Sequence, residues 1–354
     1  MSIFDHRDFD DHEQIVFCRD RHAGLQAIIA IHDTSLGPAA GGCRMWRYGS
    51  EEEALRDVLR LSRAMSYKNA FAGLPLGGGK SVIIGDPRSQ KAPALLQSFG
   101  KFIERLGGRY YAAEDVGIDI DDVATIRRTT RYAFGVAGGD PSPYTARGGF
   151  EGIRAAVKHR FGADSLQDIT VALQGVGHVG MHLCRLLHDA GAKLVVADPN
   201  AAARNAAVDR FAARVATPEG IYGEAADVFA PCALGGTINR HSIPQLRARI
   251  VAGVANNQLA TAQDGEELRR RNILYAPDYV INAGGMHQAS REIFGDYSEN
   301  EVMSRITGIY CATLRVFAEA EKRDEAPNLT ADRMARELLV RARATNTPGN
   351  DLPL

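Results

Sequence analysis

Gly175-Val-Gly-His-Val-Gly180 constrains this chain more than any other stretch, because of what stands on either side of it. Its spacing is that of a dinucleotide fingerprint. The apolar run Ile169-Thr-Val-Ala-Leu173 before it predicts a strand, and the fingerprint opens a helical segment over His178–Ala190. Lys193-Leu-Val-Val-Ala197 predicts the next strand, with Asp198 at its end, 18 residues beyond Gly180. In that context Gly175 permits a tight turn, Gly177 lets the backbone approach a pyrophosphate, and Gly180 allows close helix–strand packing. Val176, His178 and Val179 complete the loop, whose unpaired amides lie at the positive end of a helix dipole. The Asp198 carboxylate can accept hydrogen bonds from ribose hydroxyls and would repel a 2′-phosphate, so NAD is expected over NADP. Glycines can serve a turn and nothing more; the two flanking strands and the acidic residue favour the nucleotide reading.

Further apolar strands are expected at Val228-Phe-Ala230, Ile250-Val-Ala252 and Ile273-Leu-Tyr275. Strand–helix alternation of this kind predicts a doubly wound parallel sheet with helices on both faces. At 354 residues the chain exceeds what one core normally serves, so two domains are expected. Between Gly135 and Gly149 the run Gly-Val-Ala-Gly-Gly-Asp-Pro-Ser-Pro punctuates the chain, and the boundary is placed there. Residues 1–140 form one α/β domain and 141–325 the nucleotide domain, entered through a helix over about Gly149–Phe161. Residues 326–354 form a helical tail, helical to Ala344 and then frayed, that packs back toward the first domain.

A net charge of −1 gives no electrostatic reason to expect nucleic acid or an anionic membrane as partner. The cluster Arg269-Arg270-Arg271 reads as a solvated helix face. Cys18, Cys43, Cys184, Cys232 and Cys311 are odd in number and far apart, without metal or redox spacing, so no metal site is expected. Their pattern suits a reducing, cytoplasmic compartment. The charged N-terminus lacks a signal-peptide apolar stretch, and no apolar run approaches the roughly 20 residues that span a bilayer.

In the first third, Leu25-Gln-Ala-Ile-Ile-Ala-Ile31 predicts a strand. Ser50 and Glu53 form a capping-box pattern opening a helix with the stripe Leu55, Val58, Leu59, Met65. Gly73-Leu-Pro-Leu-Gly-Gly-Gly-Lys80 reads as a loop feeding the strand Ser81-Val-Ile-Ile84, followed by a helix around Ala94–Leu106 and a strand at Arg109–Ala113. Three consecutive glycines cost conformational entropy, which makes sense where a substrate approaches the backbone and a side chain is aimed from a rigid strand. Lys80 is that side chain; the plainer reading is a surface hairpin with an incidental lysine. Lys68 lies 12 residues upstream and Asp115 follows the Arg109–Ala113 strand. An amino-acid substrate offers a carboxylate, an amine and an α-hydrogen. One lysine can hold the carboxylate, a second can act as base if burial and a neighbouring cation lower its affinity for the proton, and an aspartate can move protons at the nitrogen.

Leu74-Pro-Leu-Gly-Gly-Gly-Lys-Ser-Val-Ile-Ile-Gly-Asp-Pro87 resembles the active-site signature of the glutamate/leucine/phenylalanine/valine dehydrogenase family. The resemblance extends through Leu36–Arg44, Met65–Lys68, Ala113–Asp115, Phe229–Gly236, Gly253–Leu259 and Tyr279–Gly285, nearly the whole chain, and is nearest the leucine and phenylalanine branch. It implies that Lys68 binds the substrate carboxylate, that Lys80 is the base activating water toward an imine, and that Asp115 assists proton transfer. It further implies Asn257 as a substrate-carboxylate ligand, Asn282 near the nicotinamide, Gly41 and Gly42 lining the substrate, and Thr145 contacting cofactor and substrate. An interdomain cleft that closes in turnover, and homo-oligomers (dimer or octamer) assembled through the first domain, are also implied.

The family pattern is broken at His178, where asparagine or alanine is usual, at Cys43, where threonine is usual and a small packed thiol is expected, and at Arg147, where some relatives have an aromatic residue. Among residues expected to shape the pocket, Ala40 opens it, Met286 refills it from the other side, Ala113 resembles the leucine-type relatives, and no extra cation beside Met65 or Met286 would meet a glutamate side chain. The expected activity is reversible NAD-dependent deamination of leucine, valine or isoleucine to the 2-oxo acid and ammonia, with phenylalanine or another aromatic substrate as the alternative. An NAD-binding sensor without turnover is the alternative of another class, disfavoured because Lys68, Lys80 and Asp115 stand together. A 2-hydroxy-acid dehydrogenase would normally use a histidine–carboxylate pair as acid and base, and no histidine here occupies a comparably supported site in the sequence.

Overall fold

A computed structural model describes residues 3–295 and 298–346 of the chain. The expected frayed end beyond residue 346 lies outside the described residues. The chain divides into two units: one runs to Gly139 and takes in Ala289–Gly295 and the stretch from Ala335, and the other comprises Asp140–Gln288 and the stretch ending at Met334.

The first unit is built on a five-stranded sheet, β1 (Gln14–Asp20), β2 (Leu25–Asp33), β3 (Ala39–Trp46), β4 (Gly77–Ile84) and β5 (Tyr110–Ala113), in the order β1-β2-β4-β3-β5. β2 runs antiparallel to both β1 and β4, while β3 is parallel to β4 and β5. Helix α1 (Glu51–Phe71) starts at the expected cap, with Glu53 N–H donating to Ser50 Oγ at 3.1 Å. It buries Ala54, Leu55, Val58 and Leu59 on one face of the sheet against Ile28, Ala30 and Val82. The other face is covered by α2 (Pro93–Glu104) and α3 (Ile120–Arg127), through Leu95, Phe99, Ile103, Val123 and Ile126.

Two strands of this sheet, β1 and β3, are not expected from the sequence, and β4 begins four residues earlier than the strand expected at Ser81. Gly77–Gly79 are strand, and their smallness serves the protein itself. A Cβ at Gly77 would lie 2.0 Å from Asp33 O, and one at Gly78 2.1 Å from Ser66 N of α1. The close approach inferred for a substrate is made here by α1 and β2.

The second unit carries β6 (Thr170–Gln174), β7 (Lys193–Ala197), β8 (Arg214–Val215), β9 (Val228–Pro231), β10 (Ile250–Val251) and β11 (Leu274–Tyr275). All six are parallel, in the order β11-β10-β9-β6-β7-β8. That is the Rossmann order, with the topological switch between β6 and β9. The helix expected from Gly149 begins at Ser142, as α4 (Ser142–Phe161). Pro143 is tolerated in the first turn, where its missing N–H loses no bond, and Asp140 accepts from the Ser142 amide at 2.9 Å. α5 (His178–Asp189) and α6 (Ala201–Phe211) follow β6 and β7. α7 (Ala262–Arg270) precedes β11, and α8 (Asp278–Ile281) and α9 (Gly284–Ala289) come after it. Then come α10 (Arg291–Phe294), α11 (Glu299–Arg323), which packs along α4, and α12 (Pro327–Asn346). The part of α12 in the first unit is tied there by Arg343, which donates to the fully buried Asp33 carboxylate at 2.6 and 2.9 Å, and by Arg336, which donates to Tyr67 Oη at 2.8 Å.

Candidate active site

In the first unit the residue at the end of the glycine run is aimed inward. Lys80, on β4, is only 8% exposed, and its Nζ lies 2.8 Å from Asp115 Oδ2. Asp115 sits just past β5 in a tight turn, where Ile118 N–H donates to Asp115 O at 2.9 Å and Met45 N–H donates to Val116 O at 2.9 Å. Gly117 closes the turn with φ +80°, and a Cβ there would strike Met45 O at 2.1 Å, so only glycine fits. Burial alone would raise the Asp115 carboxyl, but the cations Lys80 and Arg44 outweigh it and hold the group at about 2, below its ordinary 3.8.

The neighbouring small residues are positioned by strand pairing. Gly42 pairs with Ala113 across β3 and β5, and a Cβ on it would stand 2.8 Å from Asp115 Cβ and 3.1 Å from Lys80 Nζ. One on Gly41 would meet Gly79 O at 1.9 Å and Met65 Cγ at 3.1 Å. Ala40 is fully buried between Gly78 and Tyr111. Met65 and Lys68 are half-buried on α1, Lys68 in its last turn. Cys43 is fully buried and its thiol is pushed up to about 12 by that burial, as suits a packed side chain.

Sequence reading assigned no role to three residues that complete this cluster. Arg44 Nε donates to Asp115 Oδ2 at 3.1 Å, Arg44 Nη1 donates to Asp57 Oδ2 at 2.9 Å, and Tyr48 Oη donates to that same Asp57 oxygen at 2.7 Å. Arg44 stood in a motif already singled out. Its partners could be found only through the register that sets it opposite Val82, on the Lys80 side of the sheet.

The second unit gathers the other group. Gly175 has φ +101°, and a Cβ on it would lie 2.7 Å from Ala233 Cβ; one on Gly180 would lie 2.3 Å from Gly175 O. Gly177 differs: it caps α5 and a Cβ there would meet nothing within 4 Å. No side chain caps α5, so its first amides face outward where a phosphate is expected. Asp198 is held against the loop, its Oδ2 accepting from Val176 N–H at 2.9 Å and its Oδ1 from Asn200 N–H at 2.8 Å. His178 is exposed and Val179 half-buried. Arg147 is engaged by the buried Glu151 at 2.8 Å.

Beyond the central strands, Cys232 N–H donates to Gln174 O at 2.8 Å and Ala255 N–H to Pro231 O at 3.0 Å, which laces the loops after β6, β9 and β10 together. Asn282 is 3% exposed and donates through Nδ2 to Asn256 Oδ1 at 2.9 Å. Its Oδ1 is buried without a hydrogen-bond partner among the described residues, an orphan acceptor of the kind a carboxamide N–H satisfies. Thr145 lies on α4 with its Oγ1 beside Gly285, Met286 is half-buried on α9, and Asn257 is exposed with φ +53°. Lys80 and Asp115 are therefore in contact, with the Gly42 backbone beside them, whereas Asn257, Asn282, Thr145 and Met286 belong to the other unit. Among the described residues no three His, Cys, Asp or Glu side chains cluster as a metal site, and no helix is long and apolar enough to cross a membrane.

A switch-point fingerprint with open helix amides and an orphan acceptor fits a nicotinamide dinucleotide, and an inward-facing amine with its own carboxylate is the kind of pair that can carry acid–base chemistry. Together they define a class, the nicotinamide-dependent dehydrogenases. Comparison with known proteins narrows this. Residues 12–132 match the dimerisation domain of the Glu/Leu/Phe/Val dehydrogenases, and residues 198–346 match the Glutamate/Leucine/Phenylalanine/Valine dehydrogenase domain. The chain is 51% identical to leucine dehydrogenase of Geobacillus stearothermophilus, covering 98% of this chain and 96% of that one. It is 45% identical to phenylalanine dehydrogenase of Bacillus thermotolerans, over 94% and 89%. The crystal structure of L-tryptophan dehydrogenase from Nostoc punctiforme superposes with a TM-score of 0.84 at 43% identity, over 94% of this chain and 97% of that one. This chain belongs to the glutamate/leucine/phenylalanine/valine dehydrogenase family and is an amino-acid dehydrogenase that uses a nicotinamide cofactor.

Proposed function

We propose that the protein oxidises leucine, valine and isoleucine with NAD: amino acid, NAD+ and water give the 2-oxo acid, ammonium, NADH and a proton. The observation that carries the chemistry is the Lys80–Asp115 pair at 2.8 Å, an amine buried on a rigid strand with a carboxylate as its partner. The choice of side chain is supported by the leucine dehydrogenases, at 48–51% identity, against 44–45% for the aromatic-substrate relatives.

The roles follow from the chemistry of each group. Lys68 meets the substrate carboxylate as a cation. The Lys80 amine takes a proton from the attacking water, and Asp115 moves a proton at the departing nitrogen. Gly41, Gly42, Ala40, Met65 and Ala113 shape the space for an aliphatic side chain. When bound, the nicotinamide accepts the hydride from the α-carbon. Asn282 Oδ1 would receive its carboxamide, the Gly175–Gly180 loop its pyrophosphate and Asp198 the adenosine ribose, with Thr145 close by. A fixed carboxylate at that ribose favours NAD over NADP.

The first unit thus serves substrate and self-association, which the matched dimerisation domain supports, and the second serves the cofactor. The unpaired cysteines suit a cytoplasmic enzyme. The test is NADH formation at alkaline pH with leucine, valine, isoleucine, phenylalanine, tryptophan and glutamate, repeated with NADP. Highest kcat/KM on the branched aliphatic acids with NAD is expected. Preference for an aromatic acid overturns the substrate, preference for NADP overturns the cofactor, and no turnover with any of them overturns the enzyme.

A further inference from the structure

Asp115 Oδ2 is shared by two cations from different strands, Lys80 Nζ of β4 at 2.8 Å and Arg44 Nε of β3 at 3.1 Å. The cations differ in kind. A lysine amine can give up its proton during turnover, whereas a guanidinium stays charged at every accessible pH. Arg44 is also held from behind: its Nη1 reaches Asp57 Oδ2 of α1 at 2.9 Å, and Tyr48 Oη donates to that oxygen at 2.7 Å. It therefore spans two carboxylates through two of its nitrogens, and Arg44, Asp115, Asp57 and Lys80 are each less than a third exposed.

We propose that Arg44 is a positioning residue for the Lys80–Asp115 pair, fixed in that role by Asp57 and Tyr48, and that it keeps Asp115 anionic and in place while Lys80 exchanges its proton. Without a permanent cation, a proton leaving Lys80 would fall back toward the adjacent carboxylate. With Arg44 present, the carboxylate keeps its charge and its place. With Lys80 protonated the two cations balance Asp115 and Asp57, and with the amine neutral the cluster carries one net negative charge, so in either state a substrate carboxylate gains no net attraction from it and must be met elsewhere. That separates the work of Arg44 from that of Lys68.

Besides the exposed neighbour Glu114, the titratable groups that feel the Asp115 charge include Cys43 on β3, Tyr110 on β5, and Tyr48. Burial raises all three, Cys43 to about 12 and the tyrosines above their ordinary 10, so none titrates where the acid limb of the rate profile lies. The sign of each substitution then follows. Removing the Arg44 cation lets the pair hold its proton more tightly and moves the acid limb of kcat/KM to higher pH. Removing the Asp57 anion moves it to lower pH.

The inference rests on the proposed deamination, and the test keeps the two apart. Wild type, Arg44→Gln, Arg44→Lys and Asp57→Asn are assayed for leucine oxidation against pH, with melting temperatures recorded. Arg44→Gln is expected to lower kcat on the order of 10²-fold, which matches the upper cost of misplacing a proton-transfer group. Its KM for leucine should stay within about threefold, and its acid limb should rise by about one pH unit, a tenfold change in proton affinity. Arg44→Lys should return the limb toward wild type while recovering kcat only in part, because a point charge cannot span both carboxylates. If Arg44→Gln fails to fold, the opposite limb shift in Asp57→Asn and the rescue by lysine carry the test. An unmoved limb in folded variants overturns the inference, as does a large rise in KM with kcat unchanged, which would make Arg44 a substrate ligand. Wild type inactive on every amino acid would instead overturn the deamination itself.

Discussion

Gly177 offers a substitution whose effects on folding and on cofactor binding should separate cleanly. A methyl group there meets no atom of the described residues within 4 Å, and the residue's φ of −67° and ψ of −160° are extended backbone. Replacing an N-cap glycine by alanine costs up to about 1 kcal/mol, against a gain of about 0.4–1 kcal/mol from a stiffer unfolded chain. The melting temperature of Gly177→Ala should therefore stay within about 3 °C of wild type. Cofactor binding should not be spared. If the pyrophosphate passes over this residue, the methyl holds it away from the α5 amides, and each charge-assisted hydrogen bond lost costs about 1.5–3 kcal/mol. That is an increase of about 10- to 150-fold in the Kd for NADH, measured by fluorescence titration alongside a thermal melt. Gly180→Ala is the contrast, since its Cβ would stand 2.3 Å from Gly175 O and should lower the melting temperature outright. Wild-type NADH affinity in Gly177→Ala would refute the placement of the phosphates at this helix end.

Two further outcomes concern the first unit. Gly42→Ala puts a methyl 2.5 Å from Glu114 O, 2.8 Å from Asp115 Cβ and 3.1 Å from Lys80 Nζ, so the Glu114–Asp115 backbone must shift; kcat should fall on the order of 10²-fold with NADH affinity unchanged, and a wild-type kcat would show that the pair need not be held where it is. Asp115→Asn removes the anion shared by Lys80 and Arg44 and should cost about 3–5 kcal/mol in urea unfolding near neutral pH. Because Asp115 is held at about 2 against an ordinary 3.8, its ionised form contributes about 2 kcal/mol that is fully present above about pH 4 and is lost as pH falls through 2. The stability gap between wild type and variant should therefore narrow from pH 6 toward pH 3, and a gap that widens would contradict the depressed carboxyl.

The second unit was legible because parallel strands buried on both faces read as unbroken apolar runs. Lys193–Ala197 was placed to the residue, and Thr170–Gln174 within one. The first unit was harder for a definite reason. β1 is an edge strand whose Phe17 is 59% exposed, so its sequence lacks a buried run. β3 opens with Ala39-Ala-Gly-Gly42 and β4 with Gly77-Gly-Gly79, compositions that read as loops. Both are strands stripped of side chains, because a helix and neighbouring strands come within 2–3 Å of where a Cβ would be. The Arg44–Asp57 contact joins a strand to a helix across 13 residues, and only the register between β3 and β4 makes it visible.

The same feature that hid β4 also explains why Lys80 belongs there. A strand without side chains at Gly77–Gly79 packs so tightly on α1 and β2 that the backbone before Lys80 has no room to shift. A long, flexible amine on a surface hairpin would sample many positions and lose rotamer entropy at each productive encounter. Launched from this strand, with Asp115 fixed by a glycine-closed turn, it starts close to one position. Local sequence rules fail at Gly77–Gly79 because the chain gives up strand propensity there for rigidity behind the amine proposed to react, which is where a conflict between local and global preference is expected in an enzyme.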